Sequence, residues 1–330
     1  MRHGKFVRLC LVALTAAMAV VAATTATAAP AKETPKVLKS APAGTILGEP
    51  VRGGLDVCDY KFLNGIPLGP IQVLESPWRR GLNLSIPAMK ESAVAGAVKM
   101  KHNFKMTETK TTRTFKGNGI PPFPVGEFPI LPDNPAYPFY SKTPTFAPWY
   151  TSDKIPIEPY KLDVSITKYP KANKKPSCLP SLVMGVALDG ITWHAEIAAD
   201  QTPEGQVRFF DPNGGIPTDN CFGHPWDAHY HIHGFSWKCL TKKIDSGTKA
   251  SPLYGYAFDG FGIYGPLDEN GKWITNDQLD ECHGRTARVM FNGKMQNIYH
   301  YVLNNEYPYS IGCYRGTPAK LPMNLMHNMS

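Results

Sequence analysis

Residues Cys221 to Leu240 read CFGHPWDAHYHIHGFSWKCL, and the fold and function of the chain turn on this stretch. It holds four of the chain's ten histidines, His224, His229, His231 and His233, between Cys221 and Cys239. Tyr230-His231-Ile232-His233 alternates with a period of two, as a strand does. His231 and His233 therefore project from one face, and Tyr230 and Ile232 from the other. His229 continues the alternation on the histidine face. His224 comes just before, between Gly223 and Pro225, where the chain reads as a turn. Two imidazoles on one strand face stand about 6–7 Å apart and can chelate a single ion. The expected ion is copper or zinc, although imidazole also suits iron and nickel. The alternative is an ordinary half-buried strand whose rings each bond a backbone carbonyl. Three alternating histidines with a fourth beside them favour the metal.

Working outward, the stretch belongs to a pseudo-repeat. Gly185-Val186-Ala187-Leu188-Asp189-Gly190 matches Gly255-Tyr256-Ala257-Phe258-Asp259-Gly260. Each Asp-Gly pair suits a tight turn after a buried strand. The first copy leads to Cys221-Phe222-Gly223-His224, Tyr230-His231 and Cys239. The second leads to Cys282-His283-Gly284-Arg285, Tyr299-His300 and Cys313. Two related β units packed face to face would bring the two Tyr-His strands together, so that His300 joins His231 and His233; the alternative is that His300 is a satisfied core histidine. Asp259, Asp280 and Glu281 are the nearby carboxylates able to orient imidazole N–H groups. Asp259 also serves as a turn cap, and Arg285 can pair with Asp280 or Glu281.

The N-terminus carries Arg2, Lys5 and Arg8, an apolar run from Leu9 to Ala23, and Ala26-Thr27-Ala28. Residues 1–28 read as a secretory signal peptide, and no later run is apolar enough to span a bilayer. Cleavage removes three cations and lowers the net charge from +8 to +5. The remainder has no basic stripe interleaved with aromatics, which argues against nucleic acid as a partner. An extracellular polymer or matrix is the alternative partner to a metal ion. Cys58, Cys178, Cys221, Cys239, Cys282 and Cys313 remain, an even number that fits three disulfides in a secreted chain. The repeat suggests Cys221–Cys239, Cys282–Cys313 and Cys58–Cys178.

Residues 29–50 read as a flexible linker, and 51–94 as an N-terminal extension packed on the core. Phe104 to Thr109, Thr111 to Phe115 and Tyr160 to Tyr169 read as strands. Gly119 to Pro159 is dense in proline and aromatics, which suits an ordered loop, or a polymer-stacking platform from Phe139, Tyr140, Trp149 and Tyr150. Helical periodicity is weak, save for a short helix around Asn276 to Glu281. Residues 319–330 form a tail. The expected fold is mainly β: a sandwich-like core of short strands with long Pro/aromatic-rich loops, an internal pseudo-duplication, and disulfide bridges.

The blocks YHIH (230–233), GYAFDGFGIYG (255–265), LDECHGR (279–285), YHYV (299–302) and YPYSIGCYRG (307–316) resemble the YHYH-domain proteins. GNGIPPFPVGEFP (117–129) and MGVALDG (184–190) extend the resemblance over 95–318. It implies a secreted or surface-attached protein with histidine-borne metal, often supposed to be copper. The sequence departs from the pattern at Ile232 and Val302, and Pro121-Pro122-Phe123 carries no histidine. His224, His231 and His233 are the residues that the resemblance carries over most directly.

The first function expected is a secreted copper- or zinc-binding protein. A second is an extracellular metalloenzyme, a copper oxidoreductase or zinc hydrolase with an open coordination position and a base such as Glu281 or Asp259. A third is a metal-free matrix or wall-binding protein. No Walker loop, dinucleotide glycine fingerprint, GxSxG elbow or HExxH occurs.

Overall fold

The computed structural model describes 100–128 and 157–325, apart from 124, 127, 202–206, 213–215, 217, 220, 227, 235–238, 240–248 and 305, together with strand residues 61–62, 66–67 and 71–72. The expected signal peptide, linker, Cys58 and the aromatic platform lie outside the described residues. Contacts divide the chain into Met1–Thr34 and Pro35–Ser330, and everything below belongs to the second unit.

The protein is mainly β. Its centre is a pair of antiparallel strands, β7 (Val183–Ala187) and β13 (Leu253–Ala257). Val186 stands opposite Tyr256, with Gly185 opposite Ala257 and Ala187 opposite Gly255. These strands carry the two copies of the glycine motif, and the pairing explains the glycines. A Cβ on Gly255 would lie 2.3 Å from the Val186 carbonyl oxygen, and one on Gly185 would lie 2.8 Å from that of Tyr256. Each strand leaves the centre through the same turn. Gly190 N–H donates to Ala187 O and Gly260 N–H to Ala257 O, both at 2.9 Å. The turns rely on glycine φ values of 87° and 96°.

The turns lead to β8 (Thr192–His194) and β14 (Gly262–Tyr264). β8 pairs in parallel with β12 (His229–Ile232), which pairs antiparallel with β11 (Gly223–Trp226). β14 pairs in parallel with β16 (Lys294–Val302), which pairs antiparallel with β15 (Gly284–Phe291). The sheet order is β11-β12-β8-β7-β13-β14-β16-β15 and reads the same outward from its middle in both directions. The two units expected face to face lie side by side in one eight-stranded sheet. Each unit alone would leave the N–H and C=O groups of β7 or β13 unpaired at an edge, and joining edge to edge satisfies them.

A second layer covers one face. β4 (Phe104–Glu108), β5 (Thr112–Gly117) and β6 (Leu162–Thr167) form an antiparallel sheet at the positions expected from their alternation. Phe115, Val164 and Ile166 join the common core with Val186, Trp193, Tyr256 and Ile263. Arg113 is buried in this interface. Its guanidinium lies 3.7 Å from the centre of the Tyr256 ring, donates to Asn292 Oδ1 at 2.7 Å, and pairs with Glu108 at 2.8 Å. Shorter pairings complete the described strands: β1 (Lys61–Phe62) with β2 (Ile66–Pro67), and β9 (Ala198–Gln201) with β10 (Val207–Phe210) and β3 (Ile71–Gln72).

Disulfides join Cys221 to Cys239 and Cys282 to Cys313, with Cα atoms 5.2 and 4.7 Å apart. Cys178 is disulfide-bonded as well. The short helix expected near Asn276 is a single 3-10 turn, Asn276–Gln278. The start of the tail is anchored: Leu325 is buried, and the Ser181 hydroxyl donates to its carbonyl at 2.7 Å. Among the described residues, no helix is long and apolar enough to cross a membrane.

Candidate metal centre

The β11–β12 ladder sets His224 opposite His231. His233 follows β12, held by its N–H to the Phe222 carbonyl at 2.8 Å. Phe222 takes a φ of 56°, part of a turn around Asp219. That turn is fixed by the Asp219 carboxylate, which accepts N–H bonds from Cys221 (2.8 Å), Gly223 (3.2 Å) and Gly126 (2.9 Å) and the Tyr230 hydroxyl at 2.8 Å. Asp219 thus holds the segment before His224 and the residue before His231 to each other. Burial raises its own pKa to about 6.

The three rings converge. His233 Nε2 lies 3.2 Å from His224 Nε2 and 3.1 Å from His231 Nε2. Among the described residues this trio forms a group whose ligand atoms all lie within 4.8 Å of one another. Nitrogens about 2.0–2.1 Å from one ion in tetrahedral geometry would be about 3.3 Å apart. The rings are 1%, 2% and 4% exposed, so bulk water does not fill the space between them.

Their outer nitrogens decide the chemistry. His224 Nδ1 faces Pro225 O at 3.2 Å, and His231 Nδ1 faces His229 O at 3.1 Å. His233 Nδ1 faces Glu196 Oε2 at 3.4 Å, without a formed hydrogen bond. Carbonyls only accept, so the Nδ1 of His224 and that of His231 carry the proton. Each Nε2 of a neutral ring then presents a lone pair to the others. Protonation of a ring is opposed by burial, which lowers the pKa of His224 and His231 well below 6.5 and that of His233 to about 3. For His224 and His231 the neighbouring imidazoles add to that effect. Three buried acceptors aimed at one another call for a cation among them, and the donor set fits a metal ion.

Two further residues frame the centre, and sequence reasoning passed over both. His194, at the end of β8, stacks on His231 with ring centres 3.6 Å apart. The parallel pairing of β8 with β12 brings it there across 37 positions of sequence. Glu196 is 1% exposed and accepts bonds from Gly234 N–H and the Ser310 hydroxyl while facing His233. The repeat held a signal for His194, since it aligns with Tyr264 two residues after matching Thr192 and Gly262.

The other expected site residues lie elsewhere. His229 is half-buried and packs on Tyr160, ring centres 4.4 Å apart. His300 packs on Tyr264 and stands opposite Arg285. Four strands separate β16 from β12, about 24 Å at the usual strand spacing. His300 therefore does not join the trio. Asp259 accepts from the Tyr301 hydroxyl and Gly316 N–H, Asp280 from the Tyr299 hydroxyl, and both Asp280 and Glu281 pair with Arg315. These carboxylates stabilise the second half of the sheet, away from the histidine trio.

Comparison with curated proteins and with solved structures gives no match. A family model described as YHYH protein matches residues 163–271, a segment containing β7, both strands of the histidine ladder and Glu196. That segment is what the chain shares with the YHYH proteins.

Proposed function

We propose that this is a secreted metal-binding protein in which His224, His231 and His233 hold one copper or zinc ion through Nε2. The observation that carries the reading is the convergence of three buried Nε2 atoms whose rings are each turned by an acceptor at Nδ1. The ion would supply the positive charge those lone pairs lack and tie the β11–β12 hairpin together. The near-complete burial of the rings favours a structural or sequestered ion over the metalloenzyme reading, because a catalytic ion keeps a position open to substrate. The disulfides and the N-terminal segment support secretion. An extracellular polymer is the other partner proposed, on the aromatic residues Phe139, Tyr140, Trp149 and Tyr150.

Elemental analysis of the protein recovered from culture medium tests the reading, with a His231→Ala/His233→Ala variant beside it. One ion per chain, lost in the variant, is the expected result. A folded, metal-free secreted protein that takes up neither copper nor zinc would overturn it.

A further inference from the structure

The second half of the sheet repeats the metal half in backbone detail. His231 stands opposite His224, and His300 opposite Arg285. His231 Nδ1 faces the carbonyl of His229 at 3.1 Å, and His300 Nδ1 faces that of Ile298 at the same distance. His233 N–H donates to Phe222 O, and Val302 N–H to His283 O. Phe222 and His283 share a positive φ, 56° and 67°. Asp219 and Asp280 each bind the two backbone N–H groups of the turn and the tyrosine hydroxyl across it. A disulfide starts from the cysteine of each turn.

The side chains at the focus differ. His224, His233 and the stacked His194 are answered by Arg285, Val302 and Tyr264. His300 is 2% exposed and keeps the orientation that presents Nε2 as an acceptor. Among the described residues the cation that acts on it is Arg285, itself paired with Glu269 at 3.1 Å.

We propose that this second half is a metal site converted by substitution: the scaffold is built for two ions, the chain binds one, and the Arg285 guanidinium supplies beside His300 the charge that an ion supplies beside His231. This rests on the metal reading of the first half. It adds that His300 still occupies a ligand position and that two substitutions return an ion to it. A guanidinium next to an imidazole acceptor satisfies the same electrostatic need without a ligand, so this half folds independently of metal.

The test is the number of ions bound per chain, measured with copper and with zinc after dialysis, for the wild type, Arg285→His and Arg285→His/Val302→His. One ion for the wild type and two for the double variant is the expected result. Arg285→His leaves two imidazoles and is expected to bind the second ion more weakly, and it serves if the double variant fails to fold. Adding His300→Ala to either variant removes the second ion and leaves the first. A folded double variant that binds the same number of ions as the wild type overturns the proposal, as does a wild type that binds two. A wild type without metal whose double variant gains one ion supports the conversion and overturns the reading of the first half. The two claims thus fail separately.

Discussion

The Nδ1 of His233 lies 3.4 Å from Oε2 of Glu196, and both groups are buried. A carboxylate on that side of the ring favours the tautomer with its proton on Nδ1, which leaves Nε2 to face the other two histidines. Glu196→Gln removes the charge while keeping an oxygen for Gly234 and Ser310. Metal affinity is expected to fall about 10- to 100-fold, the usual effect of losing such a partner. Competition titration against a chelator reads this, and an unchanged affinity would show that Glu196 only braces the backbone.

Removing the ion should destabilise the protein, because lone pairs then face one another without a counter-charge. At a metal concentration 100 times the dissociation constant, the bound form gains about 2.7 kcal/mol. A chelator is expected to lower the melting temperature by several degrees, and added copper or zinc to restore it. The same scan on His231→Ala/His233→Ala should show no response to either treatment.

Acid should destabilise the metal-free protein. Burial keeps His283 and His300 neutral down to about 4, and His224, His231 and His233 neutral as well. In the unfolded chain these rings take protons below about 6.5, so the unfolded state binds more protons and stability falls as pH drops from there toward 4. Asp219 and Asp259, raised to about 6 by burial, and Asp280, raised in the same direction, act oppositely: folding with them protonated becomes easier as pH falls through that window. Five imidazoles outweigh three carboxylates. Calorimetry should therefore give a lower melting temperature at pH 4.5 than at pH 7, and a flat or rising trend would contradict the assignment of neutral rings.

The seam between the halves is sensitive to volume. A methyl on Gly255 would meet the Val186 carbonyl at 2.3 Å, with Trp193 close by. Gly255→Ala forces β7 and β13 apart and is expected to cost about 1–3 kcal/mol in urea unfolding. Full stability in that variant would mean that the central pairing is looser than the register implies.

The Cys282–Cys313 bridge closes a separation of 31 residues. Replacing both with alanine should cost about 3–4 kcal/mol through the freedom returned to the unfolded chain. Denaturant midpoints of the oxidised wild type and the double variant give the comparison.

Much of this arrangement is legible in the chain. Alternation marks the three strands of the smaller sheet, and the Gly-x-Ala-x-Asp-Gly copies mark the duplication. The His231–His233 spacing marks the centre of the ligand group. What alternation cannot supply is the partner of a strand. His194 and Glu196 reach the trio through the parallel pairing of β8 with β12, and that pairing leaves no trace in local periodicity. The same limit misplaced His300. A repeat states that two units are alike, and whether they stack or abut depends on which backbone edges remain unpaired.

The register at Val186 and Tyr256 has a bearing on how such a chain arises. Antiparallel strands that meet about a central residue pair are what two identical molecules form when they associate about a rotation axis. A polypeptide holding one unit would present that strand as a sticky border and close upon its own twin. Two such units joined in one polypeptide no longer need identical side chains, so that one lobe can carry imidazoles where the other carries a guanidinium.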